Sequence, residues 1–368
     1  MEFAFTEEQE ELRAVVRAFL AQRSRSEQVR AGFAPATWAQ LIEQMELTAV
    51  ALPEAVGGAG ASFVEAGVAL EETGRALLPA PYLPTVVGAT ALASAPLLQE
   101  RVVGGAVVAL ALDAREPARP VAVARAGAGD APAAPTHLLD GTVPHVLDGA
   151  LAQLLVVSAT VDGEPALFAV EADAAGVTIA AQPTLDGTRG QATVTLDGAP
   201  ALRLSAPGEG AAALERLAGV LWVALAIEAV GSADRCLAMT VDYLRERVQF
   251  GRVLGTFQAL RHRCADLAAE LEGARATAHY AAWAVDGAPA ELAVVAPLAN
   301  AVCTRMLLHV AGETIQLHGG IGFTWEHDAH LYFKRAKASE LLYGTPLELR
   351  RLAARRSGIL EPAVQAAA

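Results

Sequence analysis

A chain of 368 residues is long enough for two or three domains at roughly 150 residues each. Its net charge of -13 excludes nucleic acid and anionic membrane as main partners, because both would repel it. Cys236, Cys264 and Cys303 stand singly in apolar helical patterns without metal-ligand spacing, which predicts reduced, buried thiols, a cytoplasmic protein and no metal site. The acidic start carries no basic, apolar leader, and no uncharged run of about 18 apolar residues is evident, so neither an export signal nor a membrane span is expected.

In chain order, the first element is a helix. Thr6 and Gln9 form a capping box, and Leu12, Val15, Val16 and Phe19 follow as the buried stripe. Glycines and a proline between Leu52 and Ser62 interrupt the pattern before helices near Val64 to Leu77 and Thr85 to Leu92. Residues 1–106 therefore read as a helical domain.

From about Val107 the period shortens. Leu154 to Ala159, Ala166 to Val170, Val177 to Ala180 and Ala192 to Leu196 are short and rich in β-branched residues. Asp-Gly pairs beginning at 140, 148, 162, 186 and 197 separate such runs, so 107–208 predicts a small antiparallel β domain. Between Asp113 and Pro135 alanine, proline and glycine dominate, and a surface loop is expected.

Residues 209–368 read as helical to near Arg356. Runs at Ala211 to Arg245 and Thr256 to Val285 exceed the usual dozen residues and suit a four-helix bundle closed by Glu291 to Leu317 and His327 to Tyr343. The fold class is thus α+β: an α domain, a β domain and an α bundle. Where the first two long helices meet, Arg247-Val248-Gln249-Phe250-Gly251 places a guanidinium fork beside exposed backbone, which taken alone reads as a solvated helix end and is also suited to a phosphate.

With Gln258 and the run Gln316-Leu317-His318-Gly319-Gly320, this corner resembles the acyl-CoA dehydrogenase family, whose marks are R-x-x-F-G, a following Gln and Q-x-x-G-G. FAFTEEQEELR, LPEAVGGAGAS and the stretch from Gly322 to Ala353 extend the resemblance over nearly the whole chain. It implies assembly as a dimer or dimer of dimers and bound FAD. It also implies removal of an α-proton from an acyl-CoA by a glutamate while the β-hydride passes to the flavin, with electron transfer flavoprotein as acceptor. The family's two positions for the base align with Leu221 and Tyr343, neither of them an acid. Three further departures fall nearby. Ala111 to Pro117 replaces the flavin-facing loop, His145-Val146-Leu147 replaces a W-I-T strand, and Trp222 stands where a helix arginine helps hold the CoA ester.

What remains is the half that the family lends to a neighbouring subunit's FAD: Arg247, Gln249, Phe250, Gly251, Gln258, Gln316, Gly319 and Gly320. The resemblance therefore implies a base-lacking subunit of a heteromer, similar to subunits of α2β2 actinobacterial dehydrogenases acting on steroid or polyketide-like CoA thioesters. Two other readings stay open: a homo-oligomeric dehydrogenase with a relocated base, for which Glu228 in its apolar run is the candidate, and a non-enzymatic interaction protein. Glu228 equally fits an ion pair with a basic residue of an adjoining helix. His145, His318 and His327 read as packing or surface groups, and Lys334, Arg335 and Lys337 as a solvated face, an interface contact or a CoA-phosphate contact. Asp186-Gly187-Thr188-Arg189 reads as a plain turn or as a family turn near the flavin.

Overall fold

The computed structural model describes residues 5–117, 119–127 and 136–360. Six helices come first: α1 (Glu7–Arg23), α2 (Ser26–Ala31), α3 (Pro35–Met45), α4 (Phe63–Arg75), α5 (Tyr82–Ala91) and α6 (Pro96–Val103). Thr6 and Gln9 cap α1 reciprocally, side chain to backbone in both directions, and Ser62 and Glu65 do the same for α4. The buried line of α1 runs through Val16 and Leu20, one turn apart, so Val15, one position round the helix, is exposed rather than buried as its spacing predicts.

The strands are β1 (Val108–Ala111), β2 (Ala122–Ala126), β3 (His137–Leu147), β4 (Leu154–Val161), β5 (Glu164–Glu171), β6 (Val177–Gln182) and β7 (Gln191–Arg203). Successive pairings β4-β2-β3-β7-β5 return to β4 and close a ring. The expected antiparallel sheet is in fact mixed. β1 and β2 occupy successive parts of one edge of β4 and run parallel to it, because the segment between them carries the chain back to that edge instead of turning a hairpin.

β2 also corrects the expected loop. Ala122 and Ala124 point inward while Val123 and Arg125 point out, and this short alternation is enough once both edges are paired. Residue 118 and residues 128–135 of that stretch lie outside the described residues. Among the Asp-Gly pairs, Asp162-Gly163 is the two-residue turn that joins neighbouring strands, β4 and β5, both residues taking positive φ of 50° and 86°. Asp140-Gly141 and Asp197-Gly198 instead lie inside β3 and β7, where the Asp140 carboxylate accepts the Gly198 N–H at 2.7 Å.

The C-terminal part holds α7 (Gly210–Glu246), a small hairpin of β8 (Val248–Gln249) and β9 (Arg252–Val253), then α8 (Gln258–Gly287), α9 (Pro289–His318), α10 (Ala329–Leu341) and α11 (Pro346–Arg356). The expected bundle thus gains a fifth, short helix, which starts at Pro346 behind a Thr345/Glu348 capping box. From Leu217 to Ala233 the residues of α7 are buried on every side, so this helix is the spine of the core. It crosses α4 at backbone contact: Ser232 Oγ donates to the Gly74 carbonyl at 2.8 Å.

Pro297 lies inside α9 and cannot donate to the Ala293 carbonyl. Arg356 of α11 donates to that carbonyl instead, at 3.0 Å. Against the expectation of no such segment, α7 and the stretch Pro289–Phe323 are each long and apolar enough to cross a membrane, but most of each apolar window is buried in the fold, as in core helices.

Two cores result. One fills the ring with Leu139, Val157, Phe168 and Val194. The other runs through the helices and takes Leu154, Val156, Leu167 and Ala169 from the opposite faces of β4 and β5. The β ring is thereby seated on α7, and its rim faces the C-terminal end of α10 across a cleft.

Candidate functional site

Two places hold the residues singled out by sequence. The first is the far end of the bundle. Arg247 closes α7, its N–H on the Tyr243 carbonyl at 2.9 Å, and Leu254 N–H returns to the Arg247 carbonyl at 2.8 Å. Between them Phe250 and Gly251, with φ of 53° and 75°, make the two-residue turn of the β8–β9 hairpin. Phe257, directly before Gln258, lies 3.8 Å under the Arg252 guanidinium.

Gln316, Gly319 and Gly320 sit at the C-terminal end of α9. The Tyr243 ring lies 4.5 Å from that of His318, which brings this segment to the same corner. His318 and His327, 4.3 Å apart, pack there as ring against ring, and burial lowers the proton affinity of both. Arg247, Gln249, Phe250, Gly251, Gln258, Gln316, Gly319 and Gly320 are all exposed. Phe250 among them, and Phe323 and Trp325 just after Gly320, are 87%, 86% and 73% exposed, bare rings next to a cationic, amide-rich segment.

The second place is a cleft of about 710 Å³ between the β ring and the C-terminal end of α10. His145, with a left-handed φ of 59°, and Tyr343, also at 59°, line it. The two expected base positions differ. Tyr343 reaches the cleft, while Leu221 is wholly buried in the helical core. Next to it, Trp222 is fully enclosed and donates its indole N–H to the Tyr343 carbonyl at 3.0 Å.

Among the described residues two acids line the cleft, and both are bound by guanidinium groups. Asp113 accepts two bonds from Arg115, at 2.8 and 2.7 Å, which hold its carboxyl below the ordinary range. Asp186 is buried, which would push its carboxyl up, yet Arg335 and Arg189 bring it below its ordinary value. Neither is suited to collecting a proton near neutral pH.

Behind the cleft lies a buried ionic cluster. Glu228 of α7 receives Arg189 from the β6–β7 connection and Arg335 of α10, the latter at 3.2 Å. Arg335 also donates to Asp186 at 2.6 Å and to the carbonyl and hydroxyl of Thr188 at 3.0 and 2.6 Å. The pairing expectation for Glu228 is therefore the arrangement present. For Arg335 the solvated face is corrected: it is 1% exposed. Its position relative to buried Leu331, Tyr332, Ala336 and Ser339 follows helical spacing, a signal that the basic run Lys334 to Lys337 masks. Asp186 to Arg189 is a turn whose polar groups form one wall of this cluster.

Asp148 carries no signal in the sequence, because an Asp-Gly pair reads as an ordinary turn. Its buried carboxyl is pushed up to about 6, chiefly by burial and against the pull of Arg189 and Arg335. A folded-state value above the ordinary 3.8 means that the folded chain holds the proton more tightly than the unfolded chain. Stability from this group is thus present at low pH and is lost as pH rises through about 4 to 6. Asp148→Asn should remove that loss: urea unfolding of wild type and variant should diverge in the variant's favour from about pH 4 to 6 and run parallel above. Parallel curves throughout would remove Asp148 from the account.

Residues 6–100 match the family description "Acyl-CoA dehydrogenase, N-terminal domain", and residues 208–358 match "Acyl-CoA dehydrogenase, C-terminal domain". Acyl-CoA dehydrogenase IpdE2 of Mycolicibacterium smegmatis is 35% identical over 356 residues, covering 95% of this chain and 99% of the relative. IpdE2 of Mycobacterium tuberculosis is 34% identical over 94% and 96%. Among solved structures, a Tcur3481-Tcur3483 steroid ACAD variant superposes with a TM-score of 0.87 at 33% identity, over 96% and 98% of the two chains. The ChsE4-ChsE5 complex from Mycobacterium tuberculosis gives 0.84 at 29%, over 97% and 99%. Matches at both ends, relatives covered almost end to end and a shared three-part architecture lead to one assignment: the chain belongs to the acyl-CoA dehydrogenase family.

Proposed function

We propose that this chain is the base-lacking subunit of a heteromeric, FAD-dependent acyl-CoA dehydrogenase and that it lends its corner to the FAD of a partner subunit. The observation that carries the reading is the state of the carboxylates. Among the described residues, the acids lining the cleft and the one buried in the middle of α7 are all held by arginines. Both positions where the family places its base are filled by Leu221 and Tyr343. A partner chain would then supply the base and most of the flavin contacts.

The cationic corner fits the pyrophosphate and adenosine end of FAD. Arg247 offers a charge-assisted fork, Gln249, Gln258 and Gln316 offer amides, and Gly251, Gly319 and Gly320 leave backbone open to approach. The exposed rings of Phe250, Phe323 and Trp325 suit burial against the partner. FAD, when bound, supplies the acceptor for the hydride from the acyl β-carbon. This chain's part is to hold the cofactor's anionic end and to exclude water from the junction. Among the described residues the cleft lined by His145 has no tryptophan and no acid free of an arginine, so the reading assigns no flavin chemistry to it.

The same reading takes residues 1–106, 107–208 and 209–368 as the three domains, a steroid or polyketide-like CoA thioester as substrate, electron transfer flavoprotein as acceptor and the cytoplasm as location. Two of the solved relatives are named as a steroid ACAD and as a two-chain complex, which supports the substrate class and the heteromer.

Co-expression with a second chain of this family should yield a yellow complex with one FAD per two chains, and the lone chain should be colourless. A yellow, active homomer would overturn the proposal in favour of a relocated base. In the complex, Arg247→Ala should weaken FAD retention roughly tenfold or more, since a charge-assisted contact is lost. Unchanged flavin content after gel filtration would remove Arg247 from the site.

A further inference from the structure

We propose a second ligand site, for a phosphate-bearing small molecule, in a cavity of about 430 Å³ where α1, α2, α4, α7 and α10 meet. It adjoins the N-terminal half of α10, whereas the cleft lies at that helix's C-terminal end. It does not depend on the reading of this chain as a lending subunit.

Charge carries the argument. Arg17, Arg25, Arg75 and Arg235 line the cavity against two acids, Glu72 and Asp328, in a chain whose net charge is -13. Both acids are already engaged. Glu72 accepts a bidentate pair from Arg17 at 2.9 and 2.6 Å, and Asp328 accepts Ser26 at 2.5 Å and Arg30 at 2.7 Å. Asp234, beside the cavity, is shared between Arg75 and Arg275.

Arg25 and Arg235 are left over. Neither side chain meets a hydrogen-bonding or ionic partner among the described residues. Burial, then the like charge of Arg17 and, against the pull of Glu72, that of Arg235, lower the Arg75 proton affinity, so the neighbouring guanidiniums add to the effect of burial. Two spare guanidiniums match a phosphate monoester, which carries close to two negative charges near neutral pH and accepts forked hydrogen bonds. Leu20, Val29, Leu77, Met239 and Leu331 supply an apolar floor. The volume is in the range of sites that enclose a small organic molecule.

The purified full-length chain, alone and with its partner subunit, should be titrated calorimetrically with inorganic phosphate and with AMP, using sodium chloride at matched ionic strength as control. Saturable binding that weakens at least tenfold in both Arg25→Gln and Arg235→Gln, and persists in Arg247→Ala, is the expected result. Tighter binding of AMP than of phosphate assigns an organic phosphate to the apolar floor, and equal binding assigns the free ion. Heats reproduced by sodium chloride, no saturation, or binding lost in Arg247→Ala but kept in the other two variants would overturn the site. Arg25 is exposed and Arg235 half-buried and unpaired, so both variants keep the packing of the fold.

Discussion

Arg335→Met should cost about 3 to 5 kcal/mol of folding stability, the usual consequence of leaving buried charges without their partner. Arg335 is enclosed and binds Asp186, Thr188 and Glu228 at once, joining the β6–β7 connection, α7 and α10. Methionine approximates its length but supplies no donor. Asp186 would lose its 2.6 Å partner, and Glu228 would keep only Arg189. Urea unfolding at pH 7.5 measures the loss. Adding Asp186→Asn to Arg335→Met should recover part of it, because the stranded charge is removed, whereas a pure packing defect would not respond to that second change. A loss below about 1 kcal/mol would mean that the cluster contributes no more than an exposed pair.

The second large effect is expected at the crossing of α4 and α7. A Cβ built on Gly231 would lie 1.7 Å from the Glu71 carbonyl oxygen, and one on Gly74 would lie 2.2 Å from the Glu228 carbonyl oxygen. Backbone is on the receiving side in both cases, so no rotamer change can relieve the clash. Gly231→Ala gains about 1 kcal/mol in helix propensity, yet it must push apart two helices in the middle of the core, and a net loss of about 3 kcal/mol is expected. Gly273→Ala in α8 is the control, since its Cβ would meet nothing within 4 Å. There the propensity gain of up to about 1 kcal/mol should appear as a higher thermal midpoint. Equal behaviour of the two variants would refute the close-crossing argument.

Much of this fold was legible in local patterns. Capping boxes, the Asp162-Gly163 turn and unusually long apolar periods report on neighbours in sequence, and these carried α1, the β4–β5 hairpin and the bundle. The parallel placement of β1 and β2 on β4 was not legible, because it depends on a chain return of many residues rather than on a turn. The run from Asp113 to Pro135 hid β2 because two alanines suffice to fill the ring at that point. Exposure of the eight corner residues follows from their position in the terminal turns of α8 and α9 and in the links beside them. The burial of Arg335 does not, because a lone cation on an apolar face reads as charge at the surface unless its partners, here 107 and 149 positions away, are known. The arginine cavity was invisible for the same reason: it is assembled from five helices, and only a count of who is already paired reveals the surplus.

A proline, Pro297, interrupts the hydrogen-bond ladder in the first half of α9. Its orphaned Ala293 oxygen is taken up by Arg356, 63 residues further on, and the same guanidinium reaches Glu215 of α7 and lies 5.8 Å from the Trp222 ring. The site is exposed, so before α11 docks water can serve that oxygen, and Arg356 replaces the water when the last described helix closes on the bundle. The last turn of α11 is thus a clasp across α9 and α7, and a chain cut before residue 356 would lose those tethers while α7 and α9 kept their own packing.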